Sequence, residues 1–253
     1  MSDGLSWVDA EGARLAVHRL GPSGDITRPV LLLHGLFSSA QVNWIKYGTA
    51  ARLAEAGFEC IMPDLRAHGQ SEAPHDPSAY PPDVLVADAL ALVDALELTD
   101  YDLCGFSLGA RTAVQAVVAG LRPRRLVLGG MGLEGLSGWA RRSAHFIDAI
   151  DRFGTIERGD PAFVAQAFMK TMQVDRVATR RLLTSVCDTP LEALAEVTMA
   201  TLVVCGAEDG DNGSAPGLAA ALPHGRYAEV PGNHMSSVTR LELGEAIAGF
   251  LGG

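Results

Sequence analysis

No apolar run in this 253-residue chain approaches the roughly 18 residues that a membrane-spanning helix needs. Residues 1–7 show no basic segment followed by an apolar one, so no secretory leader is read there and a cytoplasmic location is expected. Low-complexity tracts and internal repeats are absent too, which sets aside disorder as a functional mode. Cysteine is scarce: Cys60, Cys104, Cys187 and Cys205 lack metal-ligand spacing, so neither a metal site nor a disulfide framework is implied, and buried thiols in a reducing compartment are expected. Positive charge is also short. Twenty Lys+Arg stand against 30 Asp+Glu, for a net charge of -10, and the basic residues are scattered apart from Arg122-Pro123-Arg124-Arg125 and Arg180-Arg181. A nucleic-acid or anionic-membrane partner needs a concentrated positive field, so neither is expected.

What is present is the composition of an ordinary globular protein, 48% hydrophobic and 20% charged, at a length that suits one α/β domain carrying an insertion. Residues 7–10 and 13–20 read as a hairpin and residues 21–27 as a polar loop. Short apolar runs then recur at 29–33, 58–63, 101–103, 125–130, 200–206 and 226–230, most of them continuous as in strands buried on both faces. Helical patterns separate them at 47–56, 83–96, 111–119, 213–222 and 236–251. That alternation predicts a mostly parallel sheet with right-handed crossovers. It lapses between Met131 and Val197, where helices are expected at about 138–153, 161–172, 176–186 and 190–196. A run of helices interrupting the alternation reads as a cap: residues 132–197 inserted into a core of 1–131 and 198–253.

Gly105-Phe106-Ser107-Leu108-Gly109 lies where a strand turns directly into a helix. Such a turn strains the residue at its apex and pushes that side chain out over the sheet, while the free amides of the helix start can hold a developing negative charge. Ser107 is therefore the candidate nucleophile. A neutral hydroxyl needs a base, and the base needs an orienting carboxylate. His34, His68 and His234 all follow strands; His34 precedes a glycine and suits bracing a loop, His68 shares a turn with Asp64 and Arg66 and suits a structural cluster, and His234 is assigned the base. Among Glu208, Asp209 and Asp211, Asp209 is assigned the acid. The chain order is then Ser, Asp, His.

With His34-Gly35, Asp64-Leu65-Arg66-Ala67-His68-Gly69-Gln70-Ser71, the serine turn, Gly206-Ala207-Glu208-Asp209 and His234-Met235 each at a strand end, the whole chain resembles a capped member of the α/β-hydrolase superfamily. The resemblance implies Ser107 as nucleophile, His234 as general base and then acid, and Asp209 as the third member. It also implies an oxyanion hole from the backbone N–H of Leu108 and of Leu36, with Phe37 the second choice. This chain departs from the family's pattern at Phe106, at Asn233 before the histidine, where relatives often carry Gly, and at Ala67 for Gly.

Relatives that cleave carbon–halogen bonds or open epoxides carry a carboxylate at the elbow, a role Ser107 cannot fill. The implied reaction is hydrolysis of a small carboxylic ester or lactone through an acyl-enzyme, with no metal or organic cofactor. Carbon–carbon, thioester or amide hydrolysis, peracid formation with peroxide, and a non-catalytic ligand-binding role use the same groups or the same pocket. Leu36, Phe37, Trp44, Phe106 and Leu108 are expected to line the pocket from the core, and Trp139, Phe146, Phe163 and Phe168 from the cap. The partner is a small ester-like molecule, and the state a monomer or small homo-oligomer.

Overall fold

Strands that are apolar on both faces need a helix layer on each side, and the pleat assigns alternate side chains to the two layers. The computed structural model describes residues 4–24 and 28–253; the remainder of the expected loop 21–27, and residues 1–3, lie outside the described residues. β1 (Gly4–Ala10) and β2 (Ala13–Leu20) form an antiparallel hairpin. β3 (Arg28–Leu33), β4 (Phe58–Pro63), β5 (Asp102–Phe106), β6 (Arg125–Gly129), β7 (Ala200–Gly206) and β8 (Gly225–Val230) complete an eight-stranded sheet in the order β1-β2-β4-β3-β5-β6-β7-β8. β2 pairs antiparallel with β4, and every pair from β4 to β8 is parallel.

Leu31 and Leu33 of β3 enter one core while Val30 and Leu32 enter the other, and Leu126 and Leu128 of β6 likewise oppose Val127. The first core packs beneath α2 (Val84–Ala95), α3 (Leu108–Val118) and α7 (Ala215–Ala221). The second packs beneath α1 (Thr49–Glu55) and α8 (Leu241–Gly252). Each fully buried leucine contributes about 2 kcal/mol of transfer free energy, which makes the two faces the main source of stability.

Between β6 and β7 the chain forms no strand: it carries α4 (Trp139–Asp151), α5 (Phe163–Thr171) and α6 (Arg176–Ser185), with 3-10 turns at Leu133–Leu136 and Leu191–Glu196 and irregular chain between them. The last of these replaces the α-helix expected at 190–196. α6 starts where the Asp175 carboxylate accepts from the Ala178 N–H, an N-cap that satisfies one of the free amides of the first turn. The closing helix is shorter than expected, because Ser237–Thr239 forms a separate 3-10 turn ahead of α8.

The strand order reverses at β3 and β5: the chain runs from β3 outward to β4, then returns to β5 and continues the other way. The crevice beyond the carboxyl ends of those two strands is where an open α/β sheet leaves room for a ligand. The loop after β3 carries Leu36, and the turn after β5 carries Ser107.

Candidate active site

Ser107 has φ 53° and ψ -113°, a backbone conformation that L residues rarely adopt. It occupies the N-cap position of α3, yet its hydroxyl makes no capping bond. The strain is held by packing that only glycine permits. A Cβ on Gly105 would collide with the Gly109 carbonyl, and one on Gly109 with the Leu33 carbonyl.

The freed hydroxyl lies 3.0 Å from Nε2 of His234, and Nδ1 of His234 lies 2.9 Å from Oδ2 of Asp209. A carboxylate only accepts, so Nδ1 carries the proton and Nε2 presents its lone pair to the serine O–H. The Asp209 side chain is 2% exposed and that of His234 12%. His234 sits inside a turn in which Asn233 Oδ1 accepts from the amides of Met235 and Ser236, so the asparagine that replaces the family's glycine builds the loop from its own side chain. Glu208 and Asp211 are exposed; Asp211 donates its amide to Asp209, and its carboxylate, though near His234, makes no hydrogen bond to it.

The histidines set aside for other roles are braces. His34 Nε2 accepts from the Leu65 amide at 2.9 Å and its Nδ1 donates to the Gly35 carbonyl. His68 Nε2 accepts from the Phe37 amide at 3.0 Å and its Nδ1 donates to the Arg66 carbonyl. Each ring is used as a neutral bridge. Burial pushes the pKa of both down, that of His68 to about 3. The expected cluster of Asp64, Arg66 and His68 is instead divided. Asp64 pairs with His18 and accepts the Ala40 and Gln70 amides, while Arg66 turns away to a buried pair with Asp88. Ala67 takes φ 65°, a conformation that suits the glycine it replaces.

Because His68 consumes the Phe37 amide, Phe37 cannot be the second oxyanion donor without breaking that bond. Among the described residues no acceptor takes the N–H of Leu36 or of Leu108. Gly35 packs so close that a methyl group on it would stand 3.4 Å from Ser107 Cβ, which brings the Leu36 loop against the serine. Asn43 Oδ1 accepts the Gly35 amide at 3.0 Å and pins the same loop.

Ser107 and His234 open into a cavity of about 580 Å³ lined by Leu36, Phe37, Phe106, Leu108, Trp139, Phe146 and Phe168 among others. Trp44 does not reach it: the indole is fully buried in the second core, on the five-residue π-helical turn Gln41–Ile45 that periodicity did not reveal. Phe163 packs against the first core instead of lining the cavity. Sequence reading also passed over Asn43, Arg111, Arg141, Arg142 and His145, all of which line it. Arg111, on α3 one turn beyond the serine, is fully buried and donates to the carbonyls of Gly135 and Cys187 and to Asp188. It ties the helical segment to the core, and nothing in a local pattern marks it.

The cysteines are all free, and Cys187 is exposed rather than buried as expected. Burial pushes Cys60 and Cys205 up to about 12, so neither is a nucleophile. Asp209, Asp211 and His234 place ligand-type atoms within 4.8 Å of one another, but both nitrogens of His234 are engaged, and a cation would have to break the serine contact. Among the described residues no helix is long and apolar enough to cross a membrane.

Comparison with known proteins agrees with this fold. Residues 28–126 match the family described as alpha/beta hydrolase fold. A hydrolase from Pseudomonas aeruginosa PA01 superimposes over 100% of both chains, with a TM-score of 0.76 and 26% identity. The chain belongs to the α/β-hydrolase superfamily. Among curated members of the superfamily, the chain is 38% identical over 96 residues to an epoxide hydrolase of Caballeronia sordidicola. It is 33% identical over 131 residues to a 2-hydroxymuconate semialdehyde hydrolase of Pseudomonas sp. (strain CF600). Those stretches span 38% and 51% of this chain, and only 28% and 44% of the two relatives. These relatives are named as hydrolases.

Proposed function

We propose that this superfamily member is a serine hydrolase of carboxylesterase type, cleaving a small carboxylic ester or lactone through an acyl-enzyme. The observation that carries the reading is the unbroken relay from Asp209 through His234 to a strained Ser107 at the wall of an apolar cavity. Ser107 Oγ attacks the carbonyl carbon as its proton passes to His234 Nε2, and Asp209 stabilises the imidazolium that forms. The N–H groups of Leu36 and Leu108 hold the oxyanion, a type of contact worth about 3–4 kcal/mol per donor. His234 then protonates the leaving group, and water repeats the sequence to release the acid. Although its relatives include epoxide hydrolases, a serine at the elbow favours acyl chemistry over the alkyl-enzyme that a carboxylate nucleophile would form.

Residues 132–197 act in this reading as a cap, since Trp139, Phe146 and Phe168 supply the far wall of the cavity. The cavity volume falls within the roughly 300–1,000 Å³ typical of small-molecule sites. Four unpaired thiols and an acidic surface suit a cytoplasmic setting.

The test is labelling with a serine-reactive fluorophosphonate, read by intact mass and peptide mapping beside Ser107→Ala. A single adduct on Ser107, lost in the variant, is expected, together with turnover of short-chain 4-nitrophenyl esters. A folded protein that takes no label would move the protein to the ligand-binding alternative.

A further inference from the structure

We propose that the substrate of this site carries a carboxylate, held by Arg141 and Arg142 at the rim of the cavity. The inference rests on the hydrolase reading for what happens to the substrate, but not for its charge.

The cavity reverses the charge balance of the molecule. Acidic residues outnumber basic ones 30 to 20 over the whole chain, yet the cavity is lined by three arginines and a single acid, Asp211. The Arg111 charge is met by Asp188 at 2.8 Å. Arg141 and Arg142 have no carboxylate partner among the described residues, and Arg142 has only the Asp211 carbonyl.

Both arginines lie in the first turn of α4, a 13-residue helix with no acidic residue there. Cations at a helix N-terminus are opposed by its dipole, so helix stability does not explain them. Arg142 is half-buried, and burial lowers its pKa; Asp211 and Asp209 raise it and outweigh Arg111 and Arg141, so desolvation is what disfavours the charge. An anion in the cavity offsets that desolvation of the guanidinium.

Unused hydrogen-bonding capacity in the walls has the same sign. Asn43, 2% exposed, has no partner for Nδ2, and Arg111 has none for Nε. Both residues line the cavity, and both orphan groups are donors. Neither atom is itself exposed to the cavity, so these donors add to the positive field of its walls and are not contacts for the ligand.

The position of Arg142 fits the chemistry. Its guanidinium is bonded to the loop that carries Asp209, so it is placed beside the relay and not within it. The planar fork of a guanidinium matches a carboxylate with two parallel bonds.

Calorimetric binding to Ser107→Ala tests the charge without turnover, with monomethyl glutarate against dimethyl glutarate at low ionic strength. The monoanion is expected to bind about tenfold tighter, with the advantage shrinking as salt is added. Equal affinity of the two overturns the inference, whatever the labelling of Ser107 shows. If inorganic phosphate displaces the monoester better than glutarate does, the carboxylate assignment is overturned in favour of a phosphorylated ester.

Turnover supplies the second arm: the ratio of kcat/KM for 4-nitrophenyl hemisuccinate to that for 4-nitrophenyl butyrate. The double variant Arg141→Gln/Arg142→Gln is expected to lower that ratio about tenfold, chiefly through KM for the charged ester. Arg152→Gln, at the far end of the same helix and paired with Asp148, is expected to leave the ratio alone. A ratio that does not move in the double variant overturns the role given to the two arginines. Failure to label Ser107, with the binding difference intact, would overturn only the hydrolase reading.

Discussion

The Phe37 amide donates to Nε2 of His68 across 3.0 Å, and this one bond decides which amide of the His34-Gly35-Leu36-Phe37 loop stays free beside Ser107. His68 is 4% exposed, so its removal leaves a buried N–H without an acceptor. His68→Ala is expected to cost about 1–3 kcal/mol for that group, read by urea unfolding. A loosened loop also misplaces Leu36, and kcat is expected to fall by up to about 100-fold. Full kcat in a destabilised variant would show that Leu36 is not a donor.

The same residue makes stability depend on pH. The folded pKa of His68 lies near 3, below the value of about 6.5 for an unfolded histidine, so between those values the unfolded chain binds a proton that the folded chain refuses. The stability is fully present above about pH 6.5 and falls on acidification towards pH 3. His34, lowered by the same burial, adds in the same direction. Urea midpoints at pH 7, 6 and 5 are expected to fall in that order, with a smaller drop in His68→Gln.

Strain at Ser107 predicts an inversion of the usual rule that glycine destabilises. At φ 53° and ψ -113° a Cβ is disfavoured by about 1–3 kcal/mol, more than the roughly 0.5–1 kcal/mol entropic cost of glycine. Ser107→Gly is therefore expected to be more stable than Ser107→Ala by about 1 kcal/mol, with both inactive. Chemical denaturation of the pair decides it, and an alanine variant as stable as the glycine one would refute the strain.

Asp209 and Asp211 are two residues apart and separable by mutation. Asp209→Asn keeps a hydrogen bond but turns His234 to the wrong tautomer, and kcat is expected to fall about 10⁴-fold with the fold intact. Asp211→Asn removes an exposed charge and is expected to change kcat less than about threefold. Kinetics on one neutral ester suffices, and a large loss in the Asp211 variant instead would reassign the acid.

Gly109 and Gly249 are both helical, with opposite expectations. A methyl group on Gly109 strikes the backbone of Leu33, and Gly109→Ala is expected to cost about 3 kcal/mol or to abolish folding. Gly249, in α8, has nothing within 4 Å of an added Cβ, so Gly249→Ala is expected to stabilise by about 0.5–1 kcal/mol. Midpoints of thermal unfolding test both.

By itself the sequence determined the eight strands, the helices between them and the placing of Ser107, Asp209 and His234 at strand ends, because hydrophobic period and turn chemistry are local. The runs at Leu31-Leu32-Leu33 and Leu126-Val127-Leu128 report a strand buried on both faces wherever it lies in the sheet. What only the tertiary structure decided were the contacts between distant segments. Trp44 went into the second core rather than the cavity, His68 took the Phe37 amide, Arg66 chose Asp88 over Asp64, and Arg111, Arg141 and Arg142 met around one cavity. A polar side chain pairs with whatever the packing of apolar faces brings within about 3 Å, and no local period records that distance.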